Sequence, residues 1–157
     1  MFKVSTYFIK GQLPGVTIED LINLYKREFK IQSASNILSE TDKINFSNNT
    51  FKFVIDKFSN KLSSFSNGQL EIIDEGDKYV VYFEAEWTKL FTNAGIIATI
   101  VMLYTFFSDG FGLFPFILGI VTFVLLATIG FISTSASFPV YFTNLRNDFE
   151  RELSSTS

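Results

Sequence analysis

The chain has 157 residues and a net charge of −3; 47% of its residues are hydrophobic, 20 are Phe, and none is Cys or His. The missing Cys and His exclude disulfides and any zinc, haem or iron–sulfur centre built on those side chains, and they remove thiol nucleophiles and the commonest general base. Lysines are interspersed with carboxylates, so no basic stripe marks a nucleic-acid footprint.

Taken from the N-terminus, "KVSTYFIKGQL" reads as a strand ending at a Pro14–Gly15 turn. The stretch "TIEDLINLYKREFK" (17 to 30) predicts a helix. Thr17 caps it with Asp20 three residues on, as in a capping box. Glu19 and Asp20 fall in the first turn and Lys26, Arg27 and Lys30 fall late, complementing the helix dipole. Ile18, Leu21, Ile22, Tyr25 and Phe29 recur at helical spacing and form the stripe to be buried.

From Lys43 onward, hairpin punctuation dominates. Asn48–Asn49, Asn67–Gly68 and Glu75–Gly76 each interrupt apolar–polar alternation and are expected to be turns. In the last strand Tyr79, Val81, Phe83, Ala85 and Trp87 share one face, while Glu84 and Glu86 share the other. Residues 1–88 are therefore expected to form a small soluble α+β domain: a strand, a helix, and an antiparallel meander whose apolar face the helix covers.

Composition then changes abruptly. No residue from Leu90 to Ser108 is charged, nor is any from Gly110 to Leu145. A span needs about 20 apolar residues to cross roughly 30 Å of hydrocarbon. Segments at about 90–107 and 111–132 meet that length, so residues 89–133 are expected to form a two-helix transmembrane hairpin with its turn at 108–112. Ser108, Asp109, Gly110 and Gly112 supply turn chemistry, and Pro115 suits the first turn of the second helix. Asp109, the single carboxylate amid these apolar segments, is read as a solvated turn residue, because neither span offers a cationic partner.

Of the 13 Lys and Arg, only Arg146 and Arg151 lie beyond Lys89, and the hairpin turn carries none. The positive-inside rule then puts both termini in the cytoplasm of an integral protein, expected in a bacterial inner membrane. Trp87, Tyr82 and Tyr141 flank the spans as interfacial aromatics do. Ala94, Gly95, Ala98 and Thr99 on the first span, and Gly119, Thr122 and Gly130 on the second, are candidate helix–helix contacts, since small residues permit close approach in lipid. They serve either packing of the spans on each other or contact with a partner.

After Ile132, "STSASFPVYFTNLRNDFEREL" leaves the apolar zone. Ser137 can cap a new helix with Pro139 in its first turn, and Phe138, Phe142, Leu145, Phe149 and Leu153 form a helical stripe. Residues 134–157 are therefore expected to be a C-terminal amphipathic helix and short tail, lying on the membrane surface or against the soluble domain.

No phosphate loop, dinucleotide fingerprint or nucleophile elbow is present in the chain. Glu84 and Glu86 share a strand face as paired catalytic carboxylates can, but a solvated face explains them better, and "DEGD" (74 to 77) reads as a turn rather than a cation loop. An enzyme is not expected, and no cofactor or metal is called for. The expected function is that of an accessory or scaffolding subunit of a larger membrane assembly, its partners being the bilayer and either another protein or further copies joined through the spans. The alternative is a membrane-tethered module that binds or senses a cytoplasmic ligand or peptide.

Overall fold

In the computed structural model, which describes residues 1–32, 34–48, 61–110 and 112–156, the chain opens with strand β1 (Phe2–Ile9) and a short 3₁₀ turn (Lys10–Gln12). Helix α1 (Ile18–Ile31) follows, capped as its sequence predicts. The Asp20 amide donates to Thr17 Oγ1 at 3.3 Å, and the Thr17 amide donates back to Asp20 Oδ2 at 2.8 Å. These bonds from the Thr17 hydroxyl and amide hold the Asp20 carboxyl below its ordinary value. The stability Asp20 contributes is therefore present above about pH 4 and is lost as pH falls through its lower folded value. Thr17→Ala is expected to cost about 1 kcal/mol at pH 7. The difference from wild type in chemical-denaturation midpoint should shrink as pH falls through that lowered value and Asp20 becomes protonated in both chains.

Strands β2 (Ser35–Ser39), β3 (Lys43–Ser47), β4 (Asn67–Asp74) and β5 (Lys78–Ala85) complete one antiparallel sheet of order β1-β5-β4-β3-β2. The first strand is thus paired with the last, from Phe2 opposite Ala85 to Ile9 opposite Lys78. The sequence reading missed β2, whose "SNILS" is short and polar. It was right about the faces of β5: Tyr79, Val81, Phe83, Ala85 and Trp87 are all buried, whereas Glu86 is exposed and Glu84 half-exposed.

The expected turns fare unequally. Glu75–Gly76 is a turn, with Gly76 at φ +89 and its amide bonded to Asp74 Oδ1 at 2.8 Å. Asn67–Gly68 is not; it opens β4, where Gly68 lies opposite both Phe46 and Ala85. Glycine is there for closeness, since a Cβ at 68 would stand 2.4 Å from a ring carbon of Phe46. The Asn48–Asn49 turn falls partly outside the described residues.

Strand β5 passes through only Glu86 and Trp87 into α2 (Thr88–Asp109). Ser108 and Asp109 were expected in a loop, but they finish this helix. It stops at Gly110, whose φ of +83 suits a residue without Cβ, and the Gly110 amide donates to Phe106 O at 3.1 Å. Gly112 lies just ahead of α3 (Leu113–Thr156), and Pro115 sits in that helix's first turn.

Helix α3 corrects a larger expectation. It runs unbroken for 44 residues, with Pro139 inside it, so Ser137 caps nothing and the C-terminal stripe is no separate helix. A proline in a helix interior forfeits one backbone hydrogen bond and crowds the preceding turn. Here the residues on both sides of it are fixed: Phe138 and Phe142 are each 1% exposed in the core.

Those two rings, with Leu145 and Phe149, belong to the same buried cluster as Leu21, Tyr25 and Phe29 of α1 and Ile44, Leu70, Val81 and Phe83 of the sheet. Phe138 stacks on Phe83 at 4.8 Å and meets Phe2 and Phe65 edge-on. The contacts of α3 follow β1 in order. Phe138 touches Phe2, Arg146 covers the Tyr7 ring at 5.6 Å, and Asn147, Glu150 and Arg151 line a cleft with Gln12 and Leu13. The strands therefore run along the axis of α3. At its far end, Arg27 of α1 grips Glu152 with two hydrogen bonds of 2.8 and 2.6 Å.

Candidate functional site

Two regions stand out: the seam where the sheet meets α2 and α3, and the surface of those two helices beyond it. Both helices are long and apolar enough to cross a membrane. Most of their large apolar side chains face outward, among them Tyr104, Phe107, Leu113, Ile120 and Ile129. In a water-soluble fold such a patch would be anomalous, whereas hydrocarbon solvates it without cost.

At the seam, the Trp87 ring packs against Phe2 at 5.4 Å, Phe65 at 5.2 Å and Phe131 at 4.9 Å. It thus touches the first strand, the segment before β4, and α3 at once. Ser64 Oγ and Thr134 Oγ1 lie 3.0 Å apart, a polar tie between the segment before β4 and α3. Lys89, in the first turn of α2, is 4% exposed. Tyr141, half-buried, donates from its hydroxyl to Glu28 at 2.8 Å. Burial first, and that bond to Glu28 second, push the Tyr141 hydroxyl far up, so it stays protonated. The Tyr25 hydroxyl, fully enclosed between α1 and α3, is likewise driven upward by burial.

The small residues singled out in the sequence are distributed as follows. Ala94 and Ala98 of α2 are buried. A Cβ at Gly119 would approach Met102 Cβ to 3.1 Å, and one at Gly130 would come within 2.6 Å of Leu90 Cδ1, so α2 and α3 close most tightly at those positions. At Gly95 there is more room, since a Cβ there would stand 4.0 Å from the Phe123 ring. Thr99 is exposed and bonds its hydroxyl to Gly95 O at 2.8 Å, and Thr122 is half-buried. Gly95, Ala98, Thr99, Met102, Gly119 and Phe123 help line a shallow outward-facing groove of about 280 Å³.

Each acidic candidate has a partner. Glu84 is ion-paired with Lys3, and Glu86 accepts from Asn67 Nδ2 at 2.9 Å. Asp74 of the "DEGD" turn receives Lys10 Nζ at 2.6 and 2.7 Å as well as the Gly76 amide. Those bonds, led by the one from Lys10, lower the Asp74 carboxyl below its usual range. Among the described residues no three metal-ligating side chains gather.

Sequence reasoning placed Glu84 and Glu86 on the outer sheet face but overlooked the large apolar residues beside them. Tyr7, Ile9, Ile73 and Tyr82 are each between 39% and 49% exposed on the outer face of the sheet, with Arg146 of α3 reaching round the edge to the Tyr7 ring at 5.6 Å. Their signal was present in the alternation itself, as large apolar residues on the face that also carries Glu84. Comparison with family models, with curated proteins and with solved structures returns no match to this chain.

Proposed function

We propose that the protein is a non-enzymatic integral membrane protein serving as an accessory or scaffolding subunit of a larger membrane assembly. One observation carries the reading: α3 runs without interruption from its outward-facing apolar half into the aromatic core beside the sheet. With Glu86 and Trp87 the only link between β5 and α2, the soluble domain and the hairpin have two stiff connections and no flexible tether. Such construction suits a part that holds other components at a fixed height and angle, rather than a head that searches on a linker. The engaged state of Glu84, Glu86 and Asp74 supports a structural role for them over acid–base work.

Mild-detergent purification of the tagged protein from its native host, followed by mass spectrometry, tests this. Stoichiometric membrane partners are the expected result; a chain that emerges alone would overturn the subunit reading.

In the proposed orientation both termini are cytoplasmic, in a bacterial inner membrane, and the α2–α3 turn faces the other side. The chain has no native Cys, so Ser108→Cys, exposed beside that turn, gives a clean reporter. A membrane-impermeant maleimide is expected to label it in intact cells with the outer membrane permeabilised. Labelling only after lysis would reverse the topology.

A further inference from the structure

We infer that the open face of the sheet is a self-association surface, covered by the same face of a second copy of this chain; the inference rests on the membrane reading above. The face has the anatomy of an interface. Its centre is apolar and aromatic: Ile73 and Tyr82 are well exposed beside Val80, itself 8% exposed, and Tyr7, half covered by Arg146, flanks them. Charged pairs border that centre on three sides, Lys3–Glu84 toward the hairpin, Lys78–Glu75 at the opposite end and Lys43–Glu71 at the flank. An aromatic centre with a polar rim is the usual arrangement of a protein interface.

The occupant follows from register and orientation. The strands run along the axis of α3, so a sheet above a membrane-embedded hairpin stands upright and its open face points sideways. A bilayer holds every copy the same way up, which leaves a pair related by a two-fold axis along the membrane normal. Such a contact is isologous.

With that axis between β4 and β5, each β5 residue meets the β4 residue it already neighbours in its own sheet. Ile73 is the neighbour of Val80, Glu71 of Tyr82, and Gln69 of Glu84, while the Glu75 amide donates to Lys78 O at 2.9 Å. Across the axis, then, Val80 meets Ile73, the Tyr82 hydroxyl meets the Glu71 carboxylate, Lys78 meets Glu75, and Glu84 meets the Gln69 amide. Each of these four central pairs is apolar with apolar, donor with acceptor, or cation with anion. The face is complementary to itself.

Packed sheets lie about 10 Å apart, too far for a direct disulfide but within reach of a short bifunctional maleimide. The test uses the full chain in carbonate-washed membranes. Ile73→Cys is expected to give a cross-linked dimer, whereas Asn23→Cys, exposed on α1 on the opposite side, is expected to give none. Tyr82→Cys should cross-link likewise, and adding Ile73→Lys should abolish that product while leaving the far-ultraviolet dichroism unchanged, since residue 73 is already 41% exposed. Equal cross-linking at residues 73 and 23, or none at residue 73 in retained protein, would overturn the self-association and leave the membrane reading standing. Release of the chain by carbonate would overturn the membrane reading, and with it the shared orientation on which the pairing rests.

Discussion

A fragment of residues 1–88 is expected to show no cooperative unfolding transition, although it contains every strand of the sheet and α1. Its core would lack Phe138, Phe142, Leu145 and Phe149, all buried against the sheet and α1 in the intact chain. At about 1.5–3 kcal/mol for each large apolar side chain buried, the four together represent roughly 6–12 kcal/mol. The whole stability of a domain is only about 5–15 kcal/mol. The fragment would also leave Tyr25 and Phe83 facing water where α3 now covers them. Near-ultraviolet dichroism and a urea titration measure this directly. Joining residues 1–88 to 134–156 by a flexible linker should restore a sigmoidal transition in the absence of detergent. A cooperative transition in the short fragment alone would mean that α3 decorates the domain rather than completing it.

Phe138→Ala is expected to be the most damaging single substitution on α3, costing about 3–5 kcal/mol. The ring is 1% exposed and touches Phe2, Phe65, Phe83 and Phe142, so no neighbour lies free to collapse into the space. Its removal also loosens the turn that carries Pro139, where the helix has already given up a backbone hydrogen bond. The one Trp of the chain reports the change: Trp87 shares Phe2 and Phe65 with Phe138 as ring neighbours. Its emission should shift to the red in the variant, and the denaturation midpoint in detergent should fall. Val140→Ala, on the exposed side of the same turn, should change neither.

Much of this architecture is legible in the residues because local chemistry and tertiary structure agree there. The Thr17–Asp20 capping box, the stripe of α1 and the inward face of β5 each follow from short-range rules that the fold leaves undisturbed. Where long-range packing decides, the sequence misleads. Asn67–Gly68 has the chemistry of a tight turn, yet its glycine answers to the Phe46 ring on the adjacent strand. The Ser133–Ser137 stretch and Pro139 have the chemistry of a helix boundary, yet buried rings on either side carry the helix through. Ser108 and Asp109 look like loop, yet the first residue to leave helical backbone is Gly110, which can adopt positive φ. The candidate site was legible in part. Composition exposes the apolar helices, whereas the outer sheet face takes shape only once β1 is seen to pair with β5, the first strand of the sheet with the last.

The course of α3 also imposes an order of events on biogenesis. Phe138 to Phe149 leave the ribosome after both apolar segments, so the sheet cannot close its core until α2 and most of α3 have been synthesised. The N-terminal strands must wait, with Phe2, Phe8 and Phe83 unburied, until the end of α3 arrives. A nascent chain in that condition presents exposed strand edges and aromatic surface, the features that draw holdase chaperones and promote aggregation. If the apolar helices enter a bilayer as proposed above, insertion comes first and folding second, and α3 is the component that makes the second step depend on the first.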